Sequence, residues 1–206
     1  MRILYLGNSI TLHGINHDIG WHGEWGMAAS APDNDYVHVL NRMMETHTGE
    51  PAESAVRNIA DFERAPDTFD LAAFEELRDW NPDLLVLRIC ENTPEDKVAA
   101  FGEAYLRLIR YFLRDGLRIF AVGGFWKHDR KEACIRAAEA ISGVQYVSLQ
   151  HLHSAAYQAI GQFEHSGVAA HPSDRGMEAI AQAIFAAYLG QKADPFPEDK
   201  PVGNPW

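Results

Sequence analysis

The sequence of 206 residues contains little cysteine and no long apolar run. Its two cysteines, Cys90 and Cys134, have neither CxxC nor zinc-finger spacing, so neither a disulfide framework nor a thiolate metal site is indicated. No apolar run approaches the roughly 18 residues of a membrane-spanning helix. The N-terminal segment turns polar at Gly7-Asn8-Ser9 before a signal-peptide core could form. We therefore expect a cytoplasmic protein that does not insert into a membrane.

Positive charge is also scarce. Lys and Arg total 18 against 29 Asp and Glu, which gives a formal net charge of −11. Such a field repels nucleic-acid backbones and anionic lipid surfaces, so we expect no nucleic-acid partner. The length suits a single domain, which we place at residues 1–190. Residues 191–206 hold four prolines and no periodicity, and we expect an irregular tail there.

The sequence does contain a regular alternation of short apolar runs with longer segments of helical period. This alternation is typical of βαβ units and a largely parallel sheet, and therefore of an α/β fold. The nearly unbroken hydrophobicity of the runs favours strands that are covered on both faces. Five strands are predicted: Ile3–Leu6, Ser54–Asn58, Leu84–Ile89, Arg118–Val122 and Gln145–Ser148.

Two segments carry clear helical signals. Apolar residues recur at three- and four-residue steps over roughly 95–115, where Thr93 is the predicted cap and Pro94 the first helical residue. The last helix is predicted to follow an N-cap at Ser173 and to end near Gly190. Weaker helical patterns cover four further segments: roughly 34–47, 68–79, 128–141 and 151–160.

The loops after the strands are the candidate site, because ligands of parallel α/β sheets gather at the carboxyl ends of the strands. Ser9 follows the first strand, Asn92 follows the third, and His171 precedes the last helix. A serine can act as a nucleophile, a histidine as its general base, and an asparagine amide as a donor to a developing oxyanion. Each residue alone is better explained by a turn or a cap. Their joint occurrence favours a hydrolase.

These motifs resemble the SGNH, or GDSL-like, hydrolase superfamily. The resemblance rests on Gly7-Asn8-Ser9, Glu91-Asn92 and His171-Pro172, and residues 20–30 look like members grouped with bacterial carbohydrate esterases. It implies a three-layer α/β/α, flavodoxin-like fold with a five-stranded, mainly parallel sheet. It also implies that Ser9 is the nucleophile, His171 the general base and Asn92 an oxyanion donor, assisted by the backbone amide of Ser9.

The sequence departs from the family pattern after the second strand. The superfamily usually has a glycine there, whose amide contributes to the oxyanion hole. This chain instead has Ala60 and Asp61 near that position. Any residue except proline keeps a backbone N–H, so either amide can still donate to the oxyanion.

A second departure concerns the acid that orients the catalytic imidazole. The aspartate normally found three residues before the histidine is replaced by Val168. A main-chain carbonyl near Val168 or the side chain of Glu164 could orient the imidazole instead. Asp174 is better explained as a partner of the helix dipole. We therefore expect a dyad of Ser9 and His171 without a conventional acid.

Aromatic residues lie in the loops after the first and fourth strands. Trp21, Trp25 and Trp126 are predicted near the site, where exposed indole faces would suit sugar rings. Packing within a lid explains them equally well. The expected function is therefore a serine esterase that removes acetyl or other short acyl groups from a carbohydrate or oligosaccharide, without a cofactor.

Other functions compete with this expectation. A non-catalytic glycan-binding relative would account for the missing aspartate, and a short-chain esterase could act on substrates without sugar. Cys90 next to Glu91 would suit a cysteine hydrolase, but its place at the end of an apolar strand favours a packed thiol. No metal site is expected, because the histidines at 13, 17, 22, 151 and 153 lack the required acidic neighbours or spacing.

Overall fold

The computed structural model describes residues 1–191, so residues 192–206 of the predicted tail lie outside the described part of the chain. Five strands are described: β1 (Arg2–Gly7), β2 (Glu53–Asn58), β3 (Leu84–Arg88), β4 (Arg118–Val122) and β5 (Val144–Val147). They form one all-parallel sheet in the order β2-β1-β3-β4-β5. The predicted α/β, flavodoxin-like sheet is confirmed, and each predicted strand end lies within one residue of its observed position.

Helices cover both faces of this sheet. The α-helices within residues 1–191 are α1 (Tyr36–Thr48), α2 (Ala60–Arg64), α3 (Glu75–Asp79), α4 (Val98–Phe112), α5 (Asp129–Ala137), α6 (Ser166–Ala169) and α7 (Asp174–Tyr188). Short 3-10 helices span His17–Ile19, Pro32–Asn34, Leu71–Phe74, Glu95–Lys97, Ala138–Ala140, Gln150–Leu152 and Ala155–Tyr157. None of the helices in this part of the chain is long and apolar enough to cross a membrane.

The two hydrophobic clusters follow from the alternation of side chains along each strand. In β1, Ile3 and Tyr5 face one side of the sheet and pack into the cluster that contains residues of α1 and α7. Leu4 and Leu6 face the other side and pack into the cluster that contains residues of α4. All four side chains are fully buried. The interior strands are therefore covered on both faces, as their continuous apolar runs predict.

The strand β2 departs from that prediction. It lies at the edge of the sheet, and its six residues are exposed or half-buried. An edge strand is paired on one side only, so fewer neighbours cover its side chains. The prediction of two covered faces is wrong for β2, and Arg57 within it already departed from the apolar pattern.

The helix predicted over 95–115 begins differently from the expectation. The 3-10 helix Glu95–Lys97 precedes α4, and Pro94 is the N-cap of this 3-10 helix. No side chain caps either the 3-10 helix or α4. The predicted cap at Thr93 is wrong because this side chain turns inward, where its hydroxyl has no hydrogen-bond partner among residues 1–191. In contrast, Ser173 caps α7 as predicted by accepting from the Gly176 amide at 3.4 Å. The helix ends shortly before Gly190, whose φ of 71° is left-handed.

The segment predicted as a helix over 151–160 contains only single 3-10 turns. Ser154 has extended backbone (φ −147°, ψ 145°) and caps the second turn, which interrupts a continuous helix. The carbonyl of Tyr157 accepts from the Ser173 amide at 2.9 Å instead of from a helical neighbour. This segment therefore supports the start of α7.

Candidate active site

The carboxyl ends of the parallel strands place the predicted residues in one region. Ser9 follows β1 by two residues, Asp61 lies in the first turn after β2, and Asn92 lies four residues beyond β3. The loop before α7 brings in His171 from the end of the chain. Together they line one cavity of about 510 Å³. Its polar lining includes Ser9, His13, Asn58, Arg64, Asn92 and His171.

A tight turn presents Ser9 at the end of β1. The carbonyl of Asn8 accepts hydrogen bonds from the amides of Thr11 (2.9 Å) and Leu12 (3.0 Å). A glycine is required just before this turn, because a Cβ on Gly7 would lie 1.7 Å from Thr11 Oγ1. The carbonyl of Ser9 also accepts from the Met27 amide at 2.8 Å. Ser9 is thus held by its own turn and by the long loop that follows it.

His171 contacts Ser9 through one ring nitrogen and the protein backbone through the other. Ser9 Oγ lies 2.8 Å from His171 Nε2, and His171 Nδ1 lies 2.7 Å from the Gly167 carbonyl oxygen. A carbonyl can only accept, so Nδ1 carries the proton and donates to it. In the neutral ring Nε2 is then the acceptor of the Ser9 hydroxyl proton. This is the tautomer that a general base requires.

A backbone carbonyl, and not an aspartate, accepts the hydrogen bond from His171 Nδ1. Val168 is fully buried in a cluster with Trp21, Met27 and Ala159, so apolar side chains pack around this position. A carboxylate there would be buried among apolar groups at high cost. The neighbouring carbonyl of Gly167 supplies the acceptor for Nδ1 instead.

The two acids near His171 in sequence have other surroundings. Glu164 is exposed and lines a second cavity with His17 and His22. Asp174 accepts from the Ser30 amide at 2.8 Å and from the Ser30 hydroxyl at 2.5 Å. The Asp174 carboxylate therefore joins the start of α7 to the loop after β1, which goes beyond the dipole role expected for it.

Burial keeps the imidazole of His171 neutral. Loss of hydration lowers its pKa from 6.5 to about 4, although the hydrogen bond to the Gly167 carbonyl and the field of Glu91 oppose the shift. Neutral imidazole is the form that accepts a proton from serine. His171 is consequently ready to act as a base throughout the neutral and mildly acidic range.

Asn92 is held beside Ser9 by a buried carboxylate, Glu63 of α2. Asn92 donates to Glu63 through its side chain (Nδ2 to Oε2, 2.8 Å) and through its backbone amide (3.2 Å to Oε1). Asn8 Nδ2 also donates to Glu63 Oε1 at 3.3 Å. The loops after β1 and β3 thus share one acceptor that comes from the helix after β2.

A buried ion pair lies beneath this arrangement. Arg88, at the end of β3, donates to Glu91 Oε1 at 2.7 Å and to Asn8 Oδ1 at 2.8 Å. The other oxygen of Glu91 accepts from Asn8 Nδ2 at 2.6 Å. The Arg88 side chain is fully buried and that of Glu91 is 6% exposed. Nothing in the sequence pattern singled out Arg88 or Glu63; the only signal was a charge at the end of an otherwise apolar strand.

The two candidate oxyanion amides after β2 differ in their surroundings. The Ala60 amide donates to Asn58 Oδ1 at 2.9 Å. Asp61 lies in the first turn of α2, where backbone N–H groups lack partners within the helix. Of these two amides, that of Asp61 is the better placed to donate to a substrate in the cavity.

The three tryptophans occupy different environments. Trp21 is 3% exposed and packs edge-on against Trp25, with ring centroids 5.6 Å apart. It also packs against Phe163 in a tilted arrangement, with ring centroids 6.0 Å apart. These contacts join the loop after β1 to the segment that carries His171. Trp126 instead packs edge-on against the His171 ring at 5.3 Å and donates to the Ala170 carbonyl at 3.2 Å. Trp126 therefore contacts His171 directly.

The remaining cysteine and histidine candidates are also placed by the structure. Cys90 is fully buried, and burial raises the pKa of its thiol well above the usual value, so it is no nucleophile. His17 and His22 lie with their Nδ1 atoms 3.1 Å apart, and His153 Nε2 donates to the Gly124 carbonyl. Among the described residues, no group of three or more potential ligands could hold a metal ion.

Comparison with known proteins identifies the fold. No protein-family model and no curated protein sequence matches the chain. The psychrotrophic esterase EstA from Pseudoalteromonas sp., in a structure inhibited by monoethylphosphonate, matches it with a TM-score of 0.60 at 11% sequence identity. The match covers 92% of this chain and 97% of EstA. The chain therefore shares the α/β fold of this esterase, which is consistent with the fold that its resemblance to the SGNH hydrolases implies.

Two carbohydrate-active esterases share this fold. The two-domain esterase CEX, active on acetylated mannans, matches with a TM-score of 0.57 at 16% identity, over 100% of this chain and 53% of CEX. CEX was also co-crystallised with mannopentaose. A family two carbohydrate esterase from Cellvibrio japonicus matches with a TM-score of 0.55 at 17% identity, over 92% of this chain and 60% of that one. The chain thus spans little more than half the length of these two esterases.

Proposed function

We propose that the protein is a serine esterase of the SGNH type that removes acetyl or other short acyl groups from a carbohydrate. The observation that carries this proposal is the 2.8 Å contact between Ser9 Oγ and His171 Nε2. It joins a nucleophile to a neutral base whose tautomer is set by the Gly167 carbonyl. The contact borders a cavity large enough for a small ester.

The reaction proceeds through an acyl-serine. Ser9 Oγ attacks the ester carbonyl carbon while His171 Nε2 takes the hydroxyl proton. The bond from the acyl carbon to the sugar oxygen then breaks, and Nε2 returns the proton to that oxygen. Water next attacks the acyl-serine and gives a proton to Nε2. The tetrahedral intermediate formed by this attack then collapses, which releases the carboxylic acid, and Nε2 returns the proton to Ser9 Oγ.

The negative charge that develops on the carbonyl oxygen is stabilised by N–H donors. Asn92 supplies a side-chain donor, and the backbone amides of Ser9 and Asp61 supply two more. Donors fixed in place before the reaction contribute more than mobile ones, because they need no rearrangement as the charge develops. Removal of one such donor typically lowers kcat by about 10² to 10³.

Two observations favour a carbohydrate ester. The cavity is lined by hydrogen-bonding side chains such as His13, Asn58 and Arg64, which suit the hydroxyl groups of a sugar. In addition, CEX acts on acetylated mannans and the Cellvibrio japonicus enzyme is a carbohydrate esterase. Trp126, beside His171, is the tryptophan best placed to contact a sugar ring, whereas the burial of Trp21 restricts it to packing.

The test combines labelling with turnover. Three proteins are treated with a fluorophosphonate: the parent, Ser9→Ala and the control Ser142→Ala, which changes an exposed turn serine. Adducts are then detected by intact-protein mass spectrometry. Hydrolysis of p-nitrophenyl acetate is measured in parallel. We expect one adduct in the parent and the control and none in Ser9→Ala, with turnover reduced at least about 10³-fold in Ser9→Ala.

The substrate class is tested by acetate release from acetylated mannan and from acetylated monosaccharides. We expect release by the parent and none above background by Ser9→Ala. Turnover of p-nitrophenyl acetate without acetate release from any acetylated sugar would refute the carbohydrate part. A folded parent that forms no adduct and turns over no ester would refute the esterase, and glycan binding retained in Ser9→Ala would then indicate a binding protein.

A further inference from the structure

Glu63 is a buried carboxylate whose surroundings suggest more than a structural role. Its side chain is fully buried, and the ion pairs of residues 1–191 include none that it forms with Lys or Arg. Three N–H donors satisfy its oxygens, two from Asn92 and one from Asn8. A buried carboxylate held only by neutral donors is costly. Apolar packing would be the more stable choice at that position if the carboxylate served stability alone.

The same contacts fix the orientation of the Asn92 amide. An ionised carboxylate only accepts, so it selects the rotamer in which Nδ2, and not Oδ1, faces Glu63. One hydrogen of Nδ2 donates to Glu63 Oε2 at 2.8 Å, which leaves the second hydrogen free to donate elsewhere. Asn92 also lines the cavity beside Ser9. The flipped amide would instead place Oδ1 where an oxyanion develops and would repel it.

We propose that Glu63 is a positioning residue for the esterase reaction, which holds the Asn92 amide with one N–H directed to the developing oxyanion. This inference rests on the proposed function, because it requires Asn92 to act as an oxyanion donor. Glu63 itself does not touch the substrate. Its effect on rate passes through the side chain of Asn92.

The charge state of Glu63 belongs to this arrangement. Burial, followed by the nearby Glu91 carboxylate, raises the pKa of Glu63 to about 7, while hydrogen bonds from Asn92 and Asn8 oppose the shift. A proton on the Glu63 carboxylate would compete with the three N–H donors for its oxygens. The groups that face Glu63 are Glu91 and Asn92 from the loop after β3, Asn8 from the loop after β1, and, through Glu91 and Asn8, Arg88.

A double-mutant cycle tests whether Glu63 acts through Asn92. The parent, Glu63→Gln, Asn92→Ala and the double variant are compared on p-nitrophenyl acetate at pH 8. We expect Glu63→Gln to lower kcat about tenfold with KM unchanged within about twofold, since an oxyanion contact forms only in the transition state. The double variant should match Asn92→Ala within about twofold, because the effect of Glu63 requires the Asn92 side chain.

Two controls make the cycle decisive. Glu75→Gln removes an exposed carboxylate from α3 and should leave kcat unchanged. Far-UV circular dichroism and thermal unfolding establish that each variant is folded. If the losses of the single variants multiply in the double variant, or if KM rises while kcat stays constant, Glu63 does not act through Asn92 and the proposal fails.

A second measurement does not depend on activity. In the ¹⁵N-labelled parent, the side-chain amide of Asn92 is assigned by its loss from the spectrum of Asn92→Ala. We expect its N–H protons to shift as Glu63 titrates, and Glu63→Gln to abolish that shift. Absence of a Glu63-dependent shift overturns the proposal even in an inactive protein. Failure of the esterase instead shows as absent labelling and turnover in the parent, so the two failures are distinguishable.

Discussion

Replacement of Arg88 by methionine is the sharpest test of the buried network of Arg88, Glu91 and Asn8 next to Ser9. Arg88 is fully buried and provides the cation for Glu91 at 2.7 Å. Its loss leaves that carboxylate inside the protein without a partner of opposite charge, beside Glu63. Removal of one member of a buried ion pair costs about 3–5 kcal/mol, because the other charge stays buried. We expect Arg88→Met to lower the free energy of unfolding by about this amount.

The assay is urea unfolding at pH 8, followed by tryptophan fluorescence and far-UV circular dichroism. Arg78→Met is the matched control, since Arg78 forms its ion pairs with exposed acids on the surface, and it should cost less than about 1 kcal/mol. Adding Glu91→Gln to Arg88→Met should restore part of the loss, because it removes the buried charge. A loss below about 1 kcal/mol for Arg88→Met, at an unchanged m-value, would refute the reasoning.

The stability deficit of Arg88→Met should also depend on pH, in a direction set by the pKa of Glu91. In the parent, burial opposes ionisation of Glu91, but Arg88 and the hydrogen bonds from Phe125 and Asn8 outweigh burial and lower its pKa. Without Arg88, burial raises the Glu91 pKa above its unfolded value, so the folded variant binds a proton more readily than the unfolded chain. The stability deficit of Arg88→Met should therefore shrink as the pH falls from 8 toward 5. A deficit that grows on acidification would contradict this account.

Two further predictions concern the base. Between pH 6 and pH 5, kcat/KM should fall less than about twofold, because burial lowers the pKa of His171 to about 4; a pKa of 6.5 would give a fall of about eightfold over the same interval. Glu164→Gln should leave kcat/KM within about twofold, because the Gly167 carbonyl, and not a carboxylate, accepts from His171 Nδ1. A loss above about tenfold in Glu164→Gln would show that an acid reaches the imidazole.

The fold was largely predictable because the interior strands are continuous apolar runs, a pattern that predicts burial on both faces of the sheet. The residues 84–87 of β3 are apolar on both faces of the sheet, and the Ser173 cap marks the start of α7. Segment 151–160 was not predictable, because its residues follow contacts with the Ser173 region and not local helical preference. The exposure of the edge strand β2 was not predictable either, because its position in the sheet is set by pairing with β1 alone.

The site was predictable only where side-chain type and loop position carry the chemistry. Ser9, Asn92 and His171 stand directly after or before recognisable elements, so their convergence followed from the topology of the sheet. Glu63 lies between Phe62 and Arg64 in a short charged helix, a pattern that indicates a solvated face and gives no sign of full burial. The acceptor for His171 is a backbone carbonyl, which any residue at position 167 would carry.

The hydrogen bond between Ser9 and His171 joins positions 162 residues apart. β1 lies inside the sheet, between strands that are synthesised after it. During translation Ser9 is therefore synthesised long before His171. Under the proposed function, Ser9 stays inert until the loop that carries His171 and the helix α7 have docked, so we expect a shorter nascent chain to hydrolyse no ester. Recovery of esterase activity after dilution from denaturant would accordingly report complete refolding, whereas fluorescence or circular dichroism can also follow its partial stages.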